Sequence, residues 1–246
     1  MRRIFLSPSR QYDNTYAAGN TNEGVQCERI AKAAEEALTR CGFEVFNGAR
    51  WASYADRVRI AKENGVSLYM PIHTNASPKH NASGTRMFVR SLDEEPSITY
   101  CRKIFKYLDS VCPGKSSNIK TYKSLWEFKN TEGIPAVYAE CEFHDVPVNA
   151  LWIINHVEEI GEAIARGICD CFNTPYIEPA PAFKVGDAVR IKEGATTYKG
   201  SKKFSGWIYR SKMYIRQING DRVVFSIYKS GAITGTTDIK NLIHYV

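Results

Sequence analysis

Residues 66–73, VSLYMPIH, form a nearly continuous apolar run that ends in a histidine. A strand that is apolar on both faces has to be covered on both faces, which is the usual situation of a strand inside a parallel sheet. Strand and helix patterns alternate around this run from residue 2 to residue 171. The alternation predicts an α/β domain in which a mixed, mostly parallel sheet is flanked by helices.

The spacing of apolar residues gives the expected elements of this domain. The expected strands are RRIFL (2–6), FEVF (43–46), VSLYMPIH (66–73), TRMFVRS (85–91) and AVYAECEF (136–143). The expected helices cover residues 22–40, 53–64, 96–111 and 149–171. Asn22 is a suitable cap for the first helix, because its side chain can accept a hydrogen bond from a free backbone N–H group.

A proline-containing segment, FNTPYIEPAPAF (172–183), separates two parts of the chain that differ in pattern. We expect residues 1–173 to form one domain, residues 174–182 to form an extended linker, and residues 183–246 to form a second domain. The second part consists of short alternating runs divided by turns. These runs predict a small all-β unit, most simply a barrel. They are FKVGDAVRIK, SGWIY, KMYIRQI, DRVVFSI and AITGTTD.

Positive charge is concentrated in the second part. From Phe183 onward there are 12 Lys and Arg against 4 Asp and Glu, a net charge of +8, whereas the remainder has 21 basic and 22 acidic residues, a net of −1. This excess predicts a polyanionic partner for the second domain, and a basic face that is merely solvated is the alternative. Nucleic acid is not expected, because the charge is spread through the strands and no nucleic-acid motif accompanies it.

The sequence contains no run of about 18 apolar residues that would span a membrane. The N-terminal MRRIFLSP has a three-residue apolar run, which is shorter than the core of a secretory signal. We therefore expect a protein that is made in the cytoplasm and that reaches any target outside the membrane without a cleaved secretory signal. The seven cysteines include no CxxC pair, so buried reduced thiols are expected and a cysteine-rich zinc knot is not.

Polar residues interrupt the apolar pattern at three expected strand ends, where ligands of α/β sheets gather. They are the loop SPSRQ (7–11), His73, and the pair Glu140 and Glu142, and Glu23 can join them from the start of the first helix. A histidine, a glutamate and a further carboxylate are the makeup of a hydrolytic zinc site. The structural alternatives are a hydrogen-bonded His73 and a Glu23 that only favours the helix dipole.

Three segments of the chain resemble successive motifs of the zinc-dependent N-acetylmuramoyl-L-alanine amidases. They are GNTNEGVQCERIA (19–31), ADRVRIAKENGVSLYMPIHTNAS (55–77) and IPAVYAECEFHDVP (134–147). The resemblance extends from about residue 2 to residue 171. It implies a peptidoglycan hydrolase that uses zinc to cleave the amide bond between N-acetylmuramic acid and the L-alanine of the stem peptide.

The same resemblance implies roles for individual residues. Glu23 and His73 match two zinc ligands of the family, and Glu140 matches its catalytic glutamate. The family usually has a further histidine ligand after its first strand, where this chain has SPSRQ. Gln11, whose amide carbonyl is a weak ligand, or a water molecule is expected in its place.

Three other residues near these motifs have open or structural roles. His144 is an alternative ligand or an acid, Glu142 replaces the family's usual glycine, and Arg57 matches a recurring arginine that is expected to be structural. A cysteine nucleophile formed by Cys141 with His144 is disfavoured, because Cys141 should point away from the face of Glu140.

The remaining alternatives for the function of the protein are a zinc peptidase or deacetylase acting on the cell wall, and a wall-binding protein without activity.

The second part of the chain resembles bacterial SH3-like wall-binding domains, for example in FKVGDAVRIKEGATTYKG (183–200). The resemblance implies binding to peptidoglycan and to anionic wall polymers. Five aromatic residues could stack on sugars or peptide, although about half of them are expected in the core: Tyr198, Trp207, Tyr209, Tyr214 and Tyr228. An amidase joined to such a domain, without a signal sequence, resembles a phage or prophage endolysin that acts after a holin opens the membrane.

Overall fold

The computed structural model describes residues 1–51, 53–117, 119–179 and 182–245. The chain divides into two compact units, Met1–Glu178 and Pro179–Val246. Ala180 and Pro181, which belong to the expected linker, lie outside the described residues, as does Val246 at the end of the second unit. Each unit has its own hydrophobic core.

A six-stranded sheet forms the centre of the first unit. Its strands are β1 Arg3–Pro8, β2 Glu44–Asn47, β3 Leu68–Asn75, β4 Arg86–Val89, β5 Lys120–Thr121 and β6 Tyr138–Phe143. They lie in the order β2-β1-β3-β6-β4-β5. All neighbouring pairs are parallel except β4 and β6, which are antiparallel. The prediction of a mixed, mostly parallel sheet flanked by helices is therefore confirmed.

The helices of this unit are α1 Glu23–Arg40, α2 Tyr54–Glu63, α3 Ser97–Val111, α4 Trp126–Asn130, α5 Pro147–Asn155 and α6 Val157–Cys171. Asn22 caps α1 as predicted, since its side chain accepts a hydrogen bond of 3.0 Å from the backbone N–H of Val25. Gly161 lets α6 approach α1 closely, because a Cβ atom at this position would lie 2.5 Å from the Cβ of Ala33. Any larger residue at this position would force the two helices apart.

Both faces of the sheet are covered, which explains why β3 is apolar on both sides. On one face, strand residues such as Leu6 and Met70 pack with residues of α1, α3 and α6. On the other face, Phe5, Tyr69 and Tyr138 pack with residues of α2 and α4. All seven cysteines are buried free thiols, as expected.

The prediction of one helix in the first unit is wrong. The pattern predicted a single helix over 149–171, but the chain forms α5 and α6, which meet at His156. The His156 Nδ1 atom lies 2.7 Å from the carbonyl oxygen of Trp152, and the His156 backbone N–H bonds three residues back to Ile153. These contacts tighten and end α5, and α5 itself begins earlier than predicted, at Pro147, a residue suited to a first helical turn.

The second unit contains a five-stranded antiparallel sheet. Its strands are β7 Ala188–Ile191, β8 Met213–Asn219, β9 Arg222–Ser226, β10 Gly235–Asp238 and β11 Leu242–His244, in the order β10-β9-β8-β7-β11. The segment SGWIY was predicted as a strand, which is wrong, because residues Gly206–Arg210 form the short helix α7. Its Ile208 is buried in the core, and the Tyr209 hydroxyl donates to the carbonyl oxygen of Ala195.

None of the described helices combines the length and the apolar character that crossing a bilayer requires.

Candidate active site

Glu23 opens α1, and its carboxylate turns toward the edge of the sheet where β1, β3 and β6 end. The side chain is only 1% exposed. Asn14 Nδ2 donates to Glu23 Oε2 at 2.6 Å, and His73 Nδ1 lies 2.7 Å from Glu23 Oε1. Burial raises the pKa of Glu23, but the hydrogen bond and charge of His73, together with hydrogen bonds from Ser9 and Asn14, outweigh burial and lower it. Glu23 is therefore a buried carboxylate held in its ionised form.

His73 lies near the end of β3 and is the register partner of Glu140 on β6. Its ring stacks on the ring of Tyr138, with 4.7 Å between the centroids. Burial lowers the pKa of His73, but the hydrogen bond that it donates to Glu23 and the negative charges of the nearby glutamates together outweigh burial and raise it. The second ring nitrogen, Nε2, is buried and has no hydrogen-bond partner in the described part of the chain.

Glu140 is the carboxylate that interrupts the apolar pattern of β6. The Tyr138 hydroxyl donates to Glu140 Oε1 at 2.8 Å, whereas the buried Oε2 atom has no partner among the described residues. Burial raises the pKa of Glu140 to about 7, the charge of His73 opposes this, and the charge of Glu23 adds to it. A carboxyl group with a pKa near neutrality can both accept and release a proton, which suits a general base and acid.

Gln11 belongs to the loop that follows β1, and it is exposed to solvent. Its backbone carbonyl accepts a hydrogen bond from Gly24 in the first turn of α1, so the loop and the helix are tied together. Its Nε2 atom lies 3.4 Å from Glu23 Oε1. Because the amide can turn by 180° and exchange oxygen for nitrogen, the Gln11 carbonyl can face the same space as Glu23 and His73.

The donor atoms of these residues determine whether they could hold a metal ion. Among the described residues, no set of three or more His, Cys, Asp or Glu side chains could hold a metal ion. The donors that converge are the Glu23 carboxylate, the His73 imidazole and the Gln11 amide, and beside them lie the unpartnered atoms His73 Nε2 and Glu140 Oε2. Buried polar atoms without partners are costly, and water or a ligand in this space would satisfy them. A divalent cation placed between the Glu23 carboxylate, the Gln11 carbonyl and His73 Nδ1 would have two strong ligands and one weak ligand.

Arg57 holds the end of β1 and the loop that follows it through hydrogen bonds. This agrees with the structural role predicted for it. It is 1% exposed, and its Nη1 atom donates to the Pro8 carbonyl oxygen and to Ser7 Oγ. Ser7 Oγ in turn donates to Glu127 Oε1 at 2.6 Å, and the Tyr69 hydroxyl donates to the same oxygen at 2.7 Å. Burial lowers the pKa of Arg57. This group fixes the end of β1 and hence the start of the Gln11 loop.

Glu142 is not part of the group formed by Gln11, Glu23, His73 and Glu140. Its Oε1 atom accepts hydrogen bonds from the backbone N–H groups of Gly84 at 2.7 Å and of Phe143 at 2.8 Å. The carboxylate therefore ties the loop before β4 to the end of β6, and this structural role could not be seen from the sequence.

His144 and Cys141 do not join this group either. His144 Nδ1 lies 2.9 Å from Thr74 Oγ1, and its ring stacks on Tyr16. Burial lowers the pKa of His144. Cys141 packs in the core on the side of Ala139, opposite to the Tyr138 side, and burial raises the pKa of its thiol. This environment argues against a cysteine nucleophile.

Two residues that hold the site were missed by the sequence analysis. Asn14 orients Glu23, and Tyr138 orients both His73 and Glu140. Tyr138 could have been found, because it lies two residues before Glu140 on the same face of a strand. Asn14 carries no comparable signal, since polar residues are common in loops.

A family profile described as N-acetylmuramoyl-L-alanine amidase matches residues 4–170 of this chain. The match includes Gln11, Glu23, His73 and Glu140. The comparison with curated proteins gives no significant match.

Solved structures resemble this chain in fold. The catalytic domain of CwlV, an N-acetylmuramoyl-L-alanine amidase from Bacillus (Paenibacillus) polymyxa var. colistinus, is 15% identical, with a TM-score of 0.62 over 71% of this chain and 100% of that domain. An N-acetylmuramoyl-L-alanine amidase from Clostridium difficile 630 is 19% identical, with a TM-score of 0.62 over 70% and 97%. The catalytic domain of the CD27L endolysin, which targets Clostridia difficile, is 17% identical, with a TM-score of 0.54 over 68% and 96%.

Proposed function

Because this chain belongs to the N-acetylmuramoyl-L-alanine amidase family, whose members hydrolyse the amide bond between N-acetylmuramic acid and L-alanine, we propose that Glu140 performs this hydrolysis beside a zinc ion held by Glu23, His73 and Gln11. The observation that carries the proposal is the pairing of His73 with Glu140 in register on adjacent parallel strands. The buried Oε2 atom of Glu140, which has no hydrogen-bond partner in the described part of the chain, gives this pair a proton acceptor.

Each residue of the proposed site has one task. Glu23, His73 and Gln11 hold the ion, which supplies Lewis acidity toward the scissile carbonyl and the attacking water. Glu140 Oε2 accepts a proton from that water as its oxygen bonds to the carbonyl carbon. The same carboxyl group then gives the proton to the leaving nitrogen of L-alanine as the C–N bond breaks. Tyr138 holds Oε1 and so keeps Oε2 directed at the reacting atoms.

Digestion of purified Gram-positive cell walls tests the proposal. We expect protein stripped of metal by a chelator to release no products, and protein restored with zinc to release new L-alanine amino termini. New reducing sugar ends, acetate, or amino termini of other residues would instead indicate a glycosidase, a deacetylase or a peptidase. Equal activity with and without metal would contradict the zinc-dependent mechanism.

For the second unit we propose an SH3-like barrel that binds peptidoglycan and anionic wall polymers. The net charge of +8 from Phe183 onward supports this role, because positive charge attracts polyanions. Trp207 is 47% exposed and Tyr228 is 69% exposed, so both rings are available for stacking. Tyr209, by contrast, packs against the core.

Co-sedimentation of the full chain with purified walls tests this role. We expect binding that weakens with added salt and that is reduced by Trp207→Ala or Tyr228→Ala. Wall binding that is insensitive to salt and to both substitutions would contradict the proposal.

We also propose that the protein is an endolysin that is made in the cytoplasm and reaches the wall when the membrane is opened. The combination of an amidase with a basic second unit supports this role, and one of the similar folds is the catalytic domain of an endolysin. Production of the chain in a Gram-positive host, with and without a pore-forming holin, tests it. We expect lysis only with the holin, and lysis in its absence would contradict this route.

A further inference from the structure

Arg86 and Glu140 occupy paired positions on two neighbouring strands. Strand β4 runs antiparallel to β6, and Arg86 is the register partner of Glu140, two positions away from the pair formed by Phe88 and Tyr138. Directly paired residues of antiparallel strands carry their side chains on the same face, about 4.5–5.5 Å apart at Cβ. The rings of Phe88 and Tyr138 lie 5.7 Å apart on that face. Arg86 is therefore at the rim of the same face that carries His73 and Glu140.

The hydrogen bonds of the Arg86 guanidinium with the described residues are weak. Its Nη1 atom donates to the carbonyl oxygens of Thr85 at 3.3 Å and Lys115 at 3.4 Å, and the group lies 5.1 Å from the centroid of the Phe143 ring. None of the ion pairs found among the described residues includes Arg86. The nearby Glu142 carboxylate accepts hydrogen bonds from the backbone of Gly84 and Phe143, and the charge of Arg86 partly offsets the rise that burial causes in the pKa of Glu142.

Arg90, which follows β4, is an example of an arginine with a structural role in this unit. Arg90 pairs with Glu94 through both carboxylate oxygens, and it also donates to three backbone carbonyl oxygens, those of Phe128, Thr131 and Ile134. Arg86 has no comparable set of acceptors, although it is partly exposed and placed beside the candidate catalytic carboxylate. An arginine at the rim of a site that forms no ion pair with the described residues is suited to bind an anion of the substrate.

The backbone that carries Arg86 is held in place by a close crossing of two loops. Gly84 has a φ of +88°, and a Cβ atom there would lie 2.4 Å from the carbonyl carbon of Lys115. Thr85 N donates to Ser116 Oγ at 3.0 Å. The loop that contains Lys115 is thereby fixed against the start of β4, so Arg86 is positioned before any substrate arrives.

We propose that Arg86 binds the free α-carboxylate of the second stem-peptide residue, a γ-linked glutamate, and selects substrates in which this carboxylate is not amidated. The inference rests on the proposed function, in which Glu140 acts at the bond that precedes L-alanine. One residue advances a peptide chain by about 3.3–3.6 Å, so the carboxylate of the next residue falls within reach of a side chain adjacent to Glu140. A guanidinium can hold this carboxylate through two parallel hydrogen bonds.

Two synthetic N-acetylmuramoyl tripeptides test the proposal with the full-length, zinc-loaded protein. The two substrates are identical except that the second residue carries an α-carboxylate in one and an α-carboxamide in the other. We expect the unmodified protein to prefer the carboxylate by about tenfold or more in kcat/KM, mainly through KM. Arg86→Gln should lower kcat/KM for the carboxylate substrate to the value for the carboxamide, and Arg86→Lys should retain part of the preference.

Arg59→Gln is the matched control, because Arg59 is a surface arginine that pairs with Glu63 on its own helix. It should leave the preference unchanged, whereas a merely structural role of Arg86 would change both substrates alike. The proposal is overturned if the unmodified protein shows no preference, or if Arg86→Gln keeps the preference while remaining folded. Cleavage of neither substrate at the amide bond would overturn the proposed function, and this inference with it.

Discussion

Two clusters of polar side chains lie on the same face of the first unit's sheet, and they differ in how completely their buried atoms are paired. The Glu127 cluster consists of Ser7, Arg57, Tyr69 and Glu127. Ser7 and Tyr69 both donate to one oxygen of Glu127, and Arg57 donates to Ser7 and to the backbone. Of its described buried atoms, Arg57 Nε is the one without a partner.

The candidate site is formed by Gln11, Glu23, His73 and Glu140. One of its ring nitrogens and one of its carboxylate oxygens have no partner among the residues that the structure describes. Tyr69 and His73 are four residues apart on the same face of β3, so one strand serves both clusters. Paired buried groups stabilise a fold, whereas unpaired ones cost stability and persist where they serve a reaction. The comparison indicates that substitutions in the Glu127 cluster should lower stability, and substitutions in the candidate site should lower activity.

The largest effect is expected for His73→Ala. Loss of this ligand should remove zinc and lower the rate of wall hydrolysis by about 1,000-fold or more, since metal catalysis contributes several kcal/mol. Metal content and the release of L-alanine amino termini measure both effects. His80→Ala is the control, because His80 is exposed and pairs with Asp145. Zinc retained at the level of the unmodified protein would contradict the ligand role of His73.

Arg57→Met tests the Glu127 cluster. Removal of the guanidinium leaves Ser7 Oγ and the Pro8 carbonyl oxygen short of a donor, so the free energy of unfolding should fall by about 3 kcal/mol. Urea denaturation measures this change. Arg59→Met is two residues away on the exposed side of α2, and it should change the value by less than about 0.5 kcal/mol. Equal stabilities of the two variants would contradict a structural role for Arg57.

Gln11 should show a smaller effect on metal affinity. Gln11→His replaces a weak carbonyl ligand by an imidazole, which zinc prefers, and should tighten zinc binding by about tenfold or more. Gln11→Ala should weaken it by a similar factor. Competition with a chromophoric chelator measures both constants. Affinities that stay within about twofold of the unmodified protein in both variants would show that Gln11 does not contact the ion.

The smallest effects are expected for two substitutions that each remove one hydroxyl group. One lies beside the candidate site and the other lies in the Glu127 cluster. Tyr138→Phe removes the donor to Glu140 and should lower kcat about fivefold, the equivalent of one hydrogen bond of about 1 kcal/mol. Tyr69→Phe removes a donor to Glu127 and should cost about 1 kcal/mol of unfolding free energy while kcat stays unchanged. The reverse result, with kcat lowered by Tyr69→Phe alone, would remove the distinction between the clusters.

The sequence predicts the main strands and helices of the first unit for simple physical reasons. For similar reasons it identifies two residues of the candidate site, Glu140 and His73. Strand β3 is recognisable because burial on both faces leaves an unbroken apolar run, and α1 is recognisable by its spacing and its Asn22 cap. Glu140 stands out because a carboxylate within an apolar strand requires a partner or a function. His73 stands out because it ends the most buried strand.

Other features depend on contacts between distant parts of the chain, which local patterns do not carry. Ser7 and Glu127 meet across 120 residues, so neither residue could be assigned its partner from the sequence. SGWIY has the composition of a strand, yet it forms α7 because Ile208 is buried in the core and Tyr209 bonds to Ala195. The contact of Asn14 with Glu23 likewise requires the folded loop after β1.

The most direct test of the account is the rate at which Glu140→Gln releases new L-alanine amino termini from purified cell walls, at a zinc content equal to that of the unmodified protein. The amide keeps the shape of the side chain but cannot accept the proton of the attacking water. We predict a rate lower by about 10²–10⁴-fold with the fold and zinc retained, as expected for loss of a general base. Full activity of the zinc-loaded variant would contradict it.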